Sequence, residues 1–579
     1  MKIYKDLLSI FEKKHLSRFF VLIFLMIVGA IMETFGISLI IPLVGSLLSD
    51  EFILPNQLTS IIPALKEISK EQMIFASISF FIFFYLIKSI YLGFLVYIQS
   101  KYIYSVQRHV STSLYKTYLY QPYSFHLNRN SGEIISNTIT ESMQFALGFV
   151  SPLIYIITDI LIIFFISALL FYVEPLGALS VMILFSIGSY FLYFLSKNRS
   201  AIWGEKRQEN EAKRIKSAQQ GLSGIKEVKL HGFEEIFAEF FSKSTSISLN
   251  SAMKQTTLQG MPKIFFELLT VIAISLLIFV LYNSGTSSSQ LISTLGIFAL
   301  AAFKLLPSVA RLVTNIQALR FANPVINKIK NELGLEPKQV LFTSNNNLII
   351  EKELTLKDIS FQYDKSENYA LDNINLSILS GQSIGIIGSS GAGKSTLVDI
   401  ILGLLRPHKG KMLVDGKEIN SENIKMWQKN IGYVSQSIYI LDDSFKNNIA
   451  FGIPKDEIDD EKINNATKLA QLETFINELP EGLNTFAGEQ GVRISGGQLQ
   501  RIGIARALYN NPSILVFDEA TSALDNETEK SVMDSITNLQ GNKTIIIIAH
   551  RLTTVKDCDI IIELDKGSII KKGTPREML

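Results

Sequence analysis

"GIIGSSGAGKST", residues 385–396, decides the fold of the second half of this chain. The segment leading into it, "QSIGII", is an apolar run of strand type, and residues 388–395 fit G-x-x-x-x-G-K-S. That pattern is a loop that wraps phosphates. Its glycines let backbone N–H groups turn inward onto phosphate oxygens. The candidate phosphate-binding residues are Gly388, Ser389, Ser390, Gly391, Ala392, Gly393, Lys394, Ser395 and Thr396. Lys394 is expected to reach the β- and γ-phosphates, and the Ser395 hydroxyl to ligate Mg2+. A helix should start where the loop ends, because its N-terminal dipole favours negative charge there.

Further along, "SILVFDEA", residues 513–520, reads as a buried strand ending in two carboxylates. Asp518 is placed to hold Mg2+, directly or through water, and Glu519 to orient and deprotonate an attacking water. "ISGGQLQR", residues 494–501, opens another helix with small residues and a serine. Such a start, Ser495, Gly496, Gly497 and Gln498, can bind a γ-phosphate. Within one chain the loop at 388–395 already holds the nucleotide, so a second copy could supply this element across an interface.

Together these segments resemble the nucleotide-binding domain of ATP-binding cassette (ABC) proteins, over the whole second half. The resemblance implies ATP and Mg2+ as cofactors. It further implies that Tyr363 in "ISFQYDKSENYALDNINL" stacks on adenine and that Gln436 in "IGYVSQSIYILDDS" lies near Mg2+. Asp525, closing "SALD", matches the loop that crosses the dimer interface, and His550 in "IIIIAHRL" matches the switch histidine at the γ-phosphate. Ile494 stands where the signature usually has Leu. "AGEQGVRISGGQ" resembles the exporter stretch that touches the membrane domain. By resemblance, then, Glu519, His550 and Gln436 are the catalytic candidates, and Ser395, Gln436 and Asp518 the metal candidates.

The rest of the chain is of another kind. Over 579 residues, 47% are hydrophobic and the mean hydropathy is +0.27, too apolar and too long for one soluble domain. A net charge of +2 makes no case for nucleic acid. The single cysteine, Cys558, excludes an internal disulfide or a Cys-pair metal site and reads as packing. Apolar runs near 18–47, 73–99, 145–172, 175–197, 264–283 and 290–318 predict six membrane spans. Lys and Arg crowd the start, loop 101–129 and loop 198–262, whereas "VEP" and "NSGTSSSQ" carry none. Both termini are therefore expected in the cytoplasm. Residues 57–69 place apolar side chains at helical spacing, as an amphipathic helix on the outer membrane surface or packed on its own domain.

A membrane domain ahead of a fused cassette resembles the ABC exporters. The fold class expected is membrane α-helical, six transmembrane helices of the type IV ABC exporter fold, plus an α/β P-loop NTPase cassette. The divisions are 1–335 for the transmembrane domain, 336–348 for a polar linker and 349–579 for the cassette. One P-loop and one signature imply a head-to-tail homodimer with two composite ATP sites. "QPYSFHLNRNSGEIIS" and "GIKEVKLHGFEEIF" resemble the coupling segments; His126 and His231 fit those segments and show no metal-ligand pattern.

Inside the spans sit Glu33, Lys88, Asp159, Lys263, Glu267, Lys304 and Arg311. Ionisable groups there count as functional candidates. Structural roles stand beside that reading: Lys263 and Glu267 are spaced as a local pair, and Lys263 can snorkel. Lys304 and Arg311, seven residues apart, share a helix face. Lys88, Lys263, Lys304 and Arg311 are the substrate candidates, a set of cations suited to a phosphate head with an apolar tail. "METFGISLIIPLVGSLLSD", "GMPKIFFELL" and "FKLLPSVARLVT" resemble the bacterial lipid-linked oligosaccharide flippases of the PglK type. That resemblance implies a polyprenyl-pyrophosphate glycolipid crossing the bacterial inner membrane. Another lipid, a peptide or a drug is the alternative cargo; a non-transport ABC ATPase conflicts with six consistent spans.

Overall fold

The computed structural model describes residues 13–39, 70–173, 175–283, 288–335, 348–364, 366–488, 494–519, 526–537, 539–549 and 551–578. The expected outer helix at 57–69, most of the 336–348 linker, Asp525 and His550 lie outside them. The chain divides into two compact units, Met1–Gln121 with Asn128–Pro337, and Pro122–Leu127 with Lys338–Leu579.

Among the described residues the first unit is helical: α1 (Lys13–Ser38), α2 (Lys70–Leu119), α4 (Ser131–Val173), α5 (Pro175–Ser223), α6 (Ile225–His231), α7 (Glu234–Asn283) and α8 (Ser288–Leu333). The short α3 (Tyr123–Asn128) stands between α2 and α4. Among the described residues α1, α2, α4, α5 and α7 contain stretches long and apolar enough to cross a membrane. The last predicted span lies within α8. Helices are the natural choice here, since a backbone in lipid must satisfy its own hydrogen bonds. The polar stretches flanking the apolar runs continue the same helices, so α5 and α7 extend well beyond bilayer thickness.

Two π-type turns, Asn137–Glu141 and Ala146–Val150, interrupt α4. Pro262 breaks the hydrogen-bond ladder of α7, and Pro307 and Pro324 that of α8. Buried charges pair within this unit. Arg207 donates to Glu141 at 2.9 Å, and Arg129 to Glu332 at 2.7 Å. Tyr118 Oη also donates to Glu332 at 3.0 Å.

The second unit carries two sheets. A four-stranded antiparallel sheet has the order β2-β1-β4-β5, from β1 (Glu353–Phe361), β2 (Leu371–Leu379), β4 (Lys409–Val414) and β5 (Lys417–Glu418). A six-stranded sheet has the order β10-β9-β3-β8-β7-β6. Its members are β3 (Ser383–Gly388), β6 (Ile431–Val434), β7 (Ile514–Asp518), β8 (Thr544–Ile548), β9 (Ile560–Asp565) and β10 (Ser568–Gly573). Pairing is parallel except at the β9–β10 edge. Every residue of β8 is buried, as a strand covered on both faces requires. Each such Ile contributes roughly 2–3 kcal/mol by burial. Polar loops at the C-terminal ends of these parallel strands form the ligand-binding edge of such a sheet.

Candidate functional site: a phosphate cradle and a membrane charge cluster

The loop after β3 turns directly into α9 (Lys394–Ile401). Gly388 has φ +149° and Gly393 φ +103°. A Cβ at Gly388 would sit 2.2 Å from Leu564 O, and one at Gly393 2.6 Å from Ala370 O. Both positions therefore demand glycine on conformational and on steric grounds. Lys394 is buried, its Nζ donating to Gly388 O and Ser389 O at 2.9 Å each, so the ammonium is folded back into the loop. Ser395 is exposed at the helix start. Tyr363 Oη and Thr396 Oγ1 lie 3.0 Å apart, which brings the expected adenine-stacking residue beside the phosphate loop.

Sheet register assembles the carboxylates. In the parallel β6–β7 pair Val434 faces Phe517, so two residues on, Gln436 and Glu519 become neighbours. Gln436 Nε2 donates to Glu519 Oε2 at 2.6 Å. Glu519 itself has φ +49°, a left-handed conformation uncommon for a residue other than glycine. Asp518 Oδ2 accepts from Tyr433 Oη at 3.2 Å. Burial raises the Asp518 carboxyl above its ordinary range. Asp399, on α9, is pushed up to about 6, first by burial and then by the charge of Asp518. Burial, and after it Asp518, also raises the Tyr433 hydroxyl.

Ser395 and Asp518 supply a hydroxyl and a carboxylate, a hard oxygen set that suits Mg2+. Ser495 caps α10 (Gly496–Leu508), accepting from Gln498 N at 3.3 Å, while Gln498 Oε1 accepts from Ser495 N at 3.0 Å. This capping box gives the serine and glutamine of the signature a structural role. The first-turn N–H groups of Gly496 and Gly497 have no carbonyl partner within the helix itself.

Tyr433 and Asp399 were not among the sequence candidates. Tyr433 lies three residues before Gln436 in the quoted "IGYVSQSIYILDDS" without being singled out there; for Asp399 the available signal was a lone acid in the largely apolar "TLVDII".

In the membrane unit the expected cations meet carboxylates. Glu33 Oε2 lies 2.8 Å from Lys88 Nζ and 3.3 Å from Lys304 Nζ. Arg311 Nη2 donates to Asp159 Oδ1 at 2.7 Å, with Ser308 Oγ 3.4 Å from the same nitrogen. Among the described residues Lys263 has no carboxylate partner; it and Glu267 are exposed and form no local pair. The net positive charge is thus smaller than the residue types alone suggest. Lys304, Ser308 and Arg311 form a polar stripe on α8. Beside it Leu305, Val309 and Leu312 line an apolar cleft of about 350 Å3, closed by Ile163 and Leu170 of α4 and Val181 and Phe185 of α5.

Comparison with known proteins supplies the family. Residues 19–303 match the ABC transporter transmembrane region and residues 371–522 the ABC transporter family. The "ATP-dependent lipid A-core flippase" of Saccharophagus degradans is 30% identical over 470 residues, covering 80% of this chain and 78% of that protein. The "Heterocyst differentiation ATP-binding protein HepA" of Nostoc is 30% identical over 459 residues, covering 79% of this chain and 74% of that one. A solved bacterial Atm1-family ABC exporter with ATP bound superposes with a TM-score of 0.78 at 21% identity, over 98% of this chain and 96% of that one. The fold is that of the type IV ABC exporters. The chain belongs to the ABC transporter family, a half-transporter with its transmembrane and ATP-binding regions fused in one polypeptide, and it couples ATP hydrolysis to transport.

Proposed function

We propose that this half-transporter is a flippase for a phosphate-bearing lipid, specifically a polyprenyl-pyrophosphate-linked oligosaccharide, in the bacterial inner membrane. The observation that carries this reading is the α8 stripe. Two cations, Lys304 and Arg311, directly precede Leu305 and Leu312, which line an apolar cleft, so the charged and the cleft-lining stripes run side by side on one helix. An apolar tail lies in such a cleft while a phosphate head meets the ammonium and guanidinium groups. Exposed Lys263 extends the set, and Lys88, buried against Glu33, contributes through the charge cluster rather than by direct contact. Relatives named "ATP-dependent lipid A-core flippase" support a lipid cargo in general, and lipid A-type lipids are the second reading.

Two copies pair head to tail, with both termini in the cytoplasm. Each ATP then lies between the loop at Gly388–Thr396 of one copy and the Ser495–Gln498 helix start of the other. Ser395, Asp518 and Gln436 hold Mg2+, which neutralises phosphate charge. Tyr363 stacks on adenine, His550 contacts the γ-phosphate and Asp525 lies at the dimer interface. Glu519 takes a proton from the attacking water, and the products are ADP and phosphate. ATP binding draws the cassettes together and turns the cavity outward, and hydrolysis resets it.

Proteoliposomes test the cargo with fluorescent polyprenyl-pyrophosphate glycan, with lipid A-core and with an uncharged polyprenol, each with and without ATP. ATP added outside is expected to carry the pyrophosphate lipid from the quencher-accessible outer leaflet to the protected inner leaflet, with a smaller gain of protection in Lys263→Ala and Lys304→Ala. ATP hydrolysis with the glycan lipid left in place would overturn this cargo, and flipping of lipid A-core alone would establish the second reading.

A further inference from the structure

Glu33 on α1 holds two ammonium groups from two other helices, and it holds them unequally. The Lys88 contact is the shorter, 2.8 Å, and Lys88 is only 4% exposed. Its Nζ also lies 4.3 Å from the centre of the Tyr85 ring, a cation–π contact. Tyr85 Oη in turn donates to Gly36 O at 3.4 Å. Gly36 keeps that corner open, since a Cβ there would come 3.3 Å from Lys88 Nζ. Lys88 is therefore anchored on α1 and α2 together. The Lys304 contact is longer, 3.3 Å, and 36% of that side chain is exposed. One carboxylate against two ammoniums leaves a charge of +1, and the under-neutralised partner is the exposed one.

We propose that Glu33 is a built-in counter-anion for Lys304 that the phosphate of the cargo replaces, making Glu33 a specificity-determining residue. This rests on the anionic-lipid reading above. A diphosphate brings more charge and more acceptor oxygens than a carboxylate, so it competes for an ammonium already drawn towards an anion. An uncharged lipid offers nothing in exchange and leaves the Glu33–Lys304 pair intact. Discrimination thus comes from a contact that the wrong cargo cannot break. Lys88 stays on Glu33 throughout and acts as the anchor, whereas Lys304 is the cation that changes partner.

The experiment follows ATP hydrolysis by the full-length protein in lipid vesicles against added polyprenyl diphosphate, and separately against uncharged polyprenol. Glu33→Gln is expected to lower the half-stimulating concentration of the diphosphate about tenfold, and Lys304→Gln to raise it by a similar factor. On the Lys304→Gln background Glu33→Gln should give no further shift, because Glu33 acts through Lys304. Polyprenol should stimulate none of these proteins. An unshifted or upward-shifted curve for Glu33→Gln, or the same tenfold gain on the Lys304→Gln background, would overturn the proposal. Should Glu33→Gln fail to fold, with Lys88 left buried and unpaired, Glu33→Asp keeps the charge but shortens its reach. A downward shift of about threefold is then expected, and none would refute the idea. Wild type that hydrolyses ATP without responding to the diphosphate removes the cargo reading and this inference together. Wild type that responds, with unshifted Glu33 variants, removes only the inference.

Discussion

Arg311 closes on Asp159 through two guanidinium nitrogens, Nη2 at 2.7 Å and Nε at 3.2 Å from Oδ1, yet the partners are unequally covered. The Asp159 side chain is 2% exposed and that of Arg311 55%. Removing Arg311 leaves a buried carboxylate without its counter-ion; removing the carboxylate leaves a guanidinium that can turn to other surroundings. Arg311→Ala is therefore expected to destabilise the protein by about 3 kcal/mol, and Asp159→Asn by clearly less. Arg311→Ala/Asp159→Asn should recover most of the loss. Thermal unfolding of the three variants in detergent checks this, and equal losses for the two single changes would contradict it. The same asymmetry means that a transport defect in Arg311→Ala must be read beside its stability.

The Gln436–Glu519 contact places the proposed base under the hand of the loop that follows β6. Glu519→Gln keeps the size and can still meet Gln436, but it cannot accept a proton. ATP binding should persist while turnover falls by about 10²–10⁴, the usual range for a lost general base. Radiolabelled ATP retention beside phosphate release measures both. Hydrolysis at the wild-type rate would remove Glu519 from the role.

Most of the cassette site was legible because each residue follows a recognisable local unit. The phosphate loop follows an apolar strand, Asp518 and Glu519 end another, and Ser495 stands before a helix. Gln436 reaches Glu519 only through the β6–β7 register, which no single segment contains. The membrane cluster was half legible. Residue types flagged Glu33, Lys88, Lys304, Asp159 and Arg311, but the pairing joins α1 to α2 and α8, and α4 to α8. Spacing along one helix cannot disclose partners on another. For the same reason a cationic face on α8 read as more strongly charged than it is.

Gly391 and Gly393 separate conformational from steric need within one loop. Both have positive φ, +82° and +103°. A Cβ at Gly391 meets nothing within 4 Å, whereas one at Gly393 meets Ala370 O at 2.6 Å. Gly391→Ala should cost about 1 kcal/mol through backbone strain alone. Gly393→Ala should cost about 2–3 kcal/mol, because the loop must also retreat from a carbonyl. ATP affinity should follow the same order, with Gly393→Ala the weaker binder in equilibrium dialysis. Equal affinities would show that the loop adjusts without penalty.

Cys558 offers a probe that the chain carries in a single copy. It is 6% exposed, and burial, followed by the charges of Asp559 and Asp557, pushes its thiol up to about 12. The folded state thus holds this proton more tightly than the unfolded chain, whose cysteine ionises near 8.5. The resulting stability is fully present below about pH 8.5 and is lost as the pH rises from there towards 12. At pH 8 the native thiolate fraction is roughly one in 10⁴, so iodoacetamide should barely label the folded protein. Labelling should rise sharply once the cassette unfolds in urea, and the labelled fraction should track that transition. Rapid modification of the native protein at pH 8 would contradict the burial of this thiol. Cys558→Ser should abolish the signal, and it should also flatten the decline in stability above pH 8.5, since a serine hydroxyl does not titrate there.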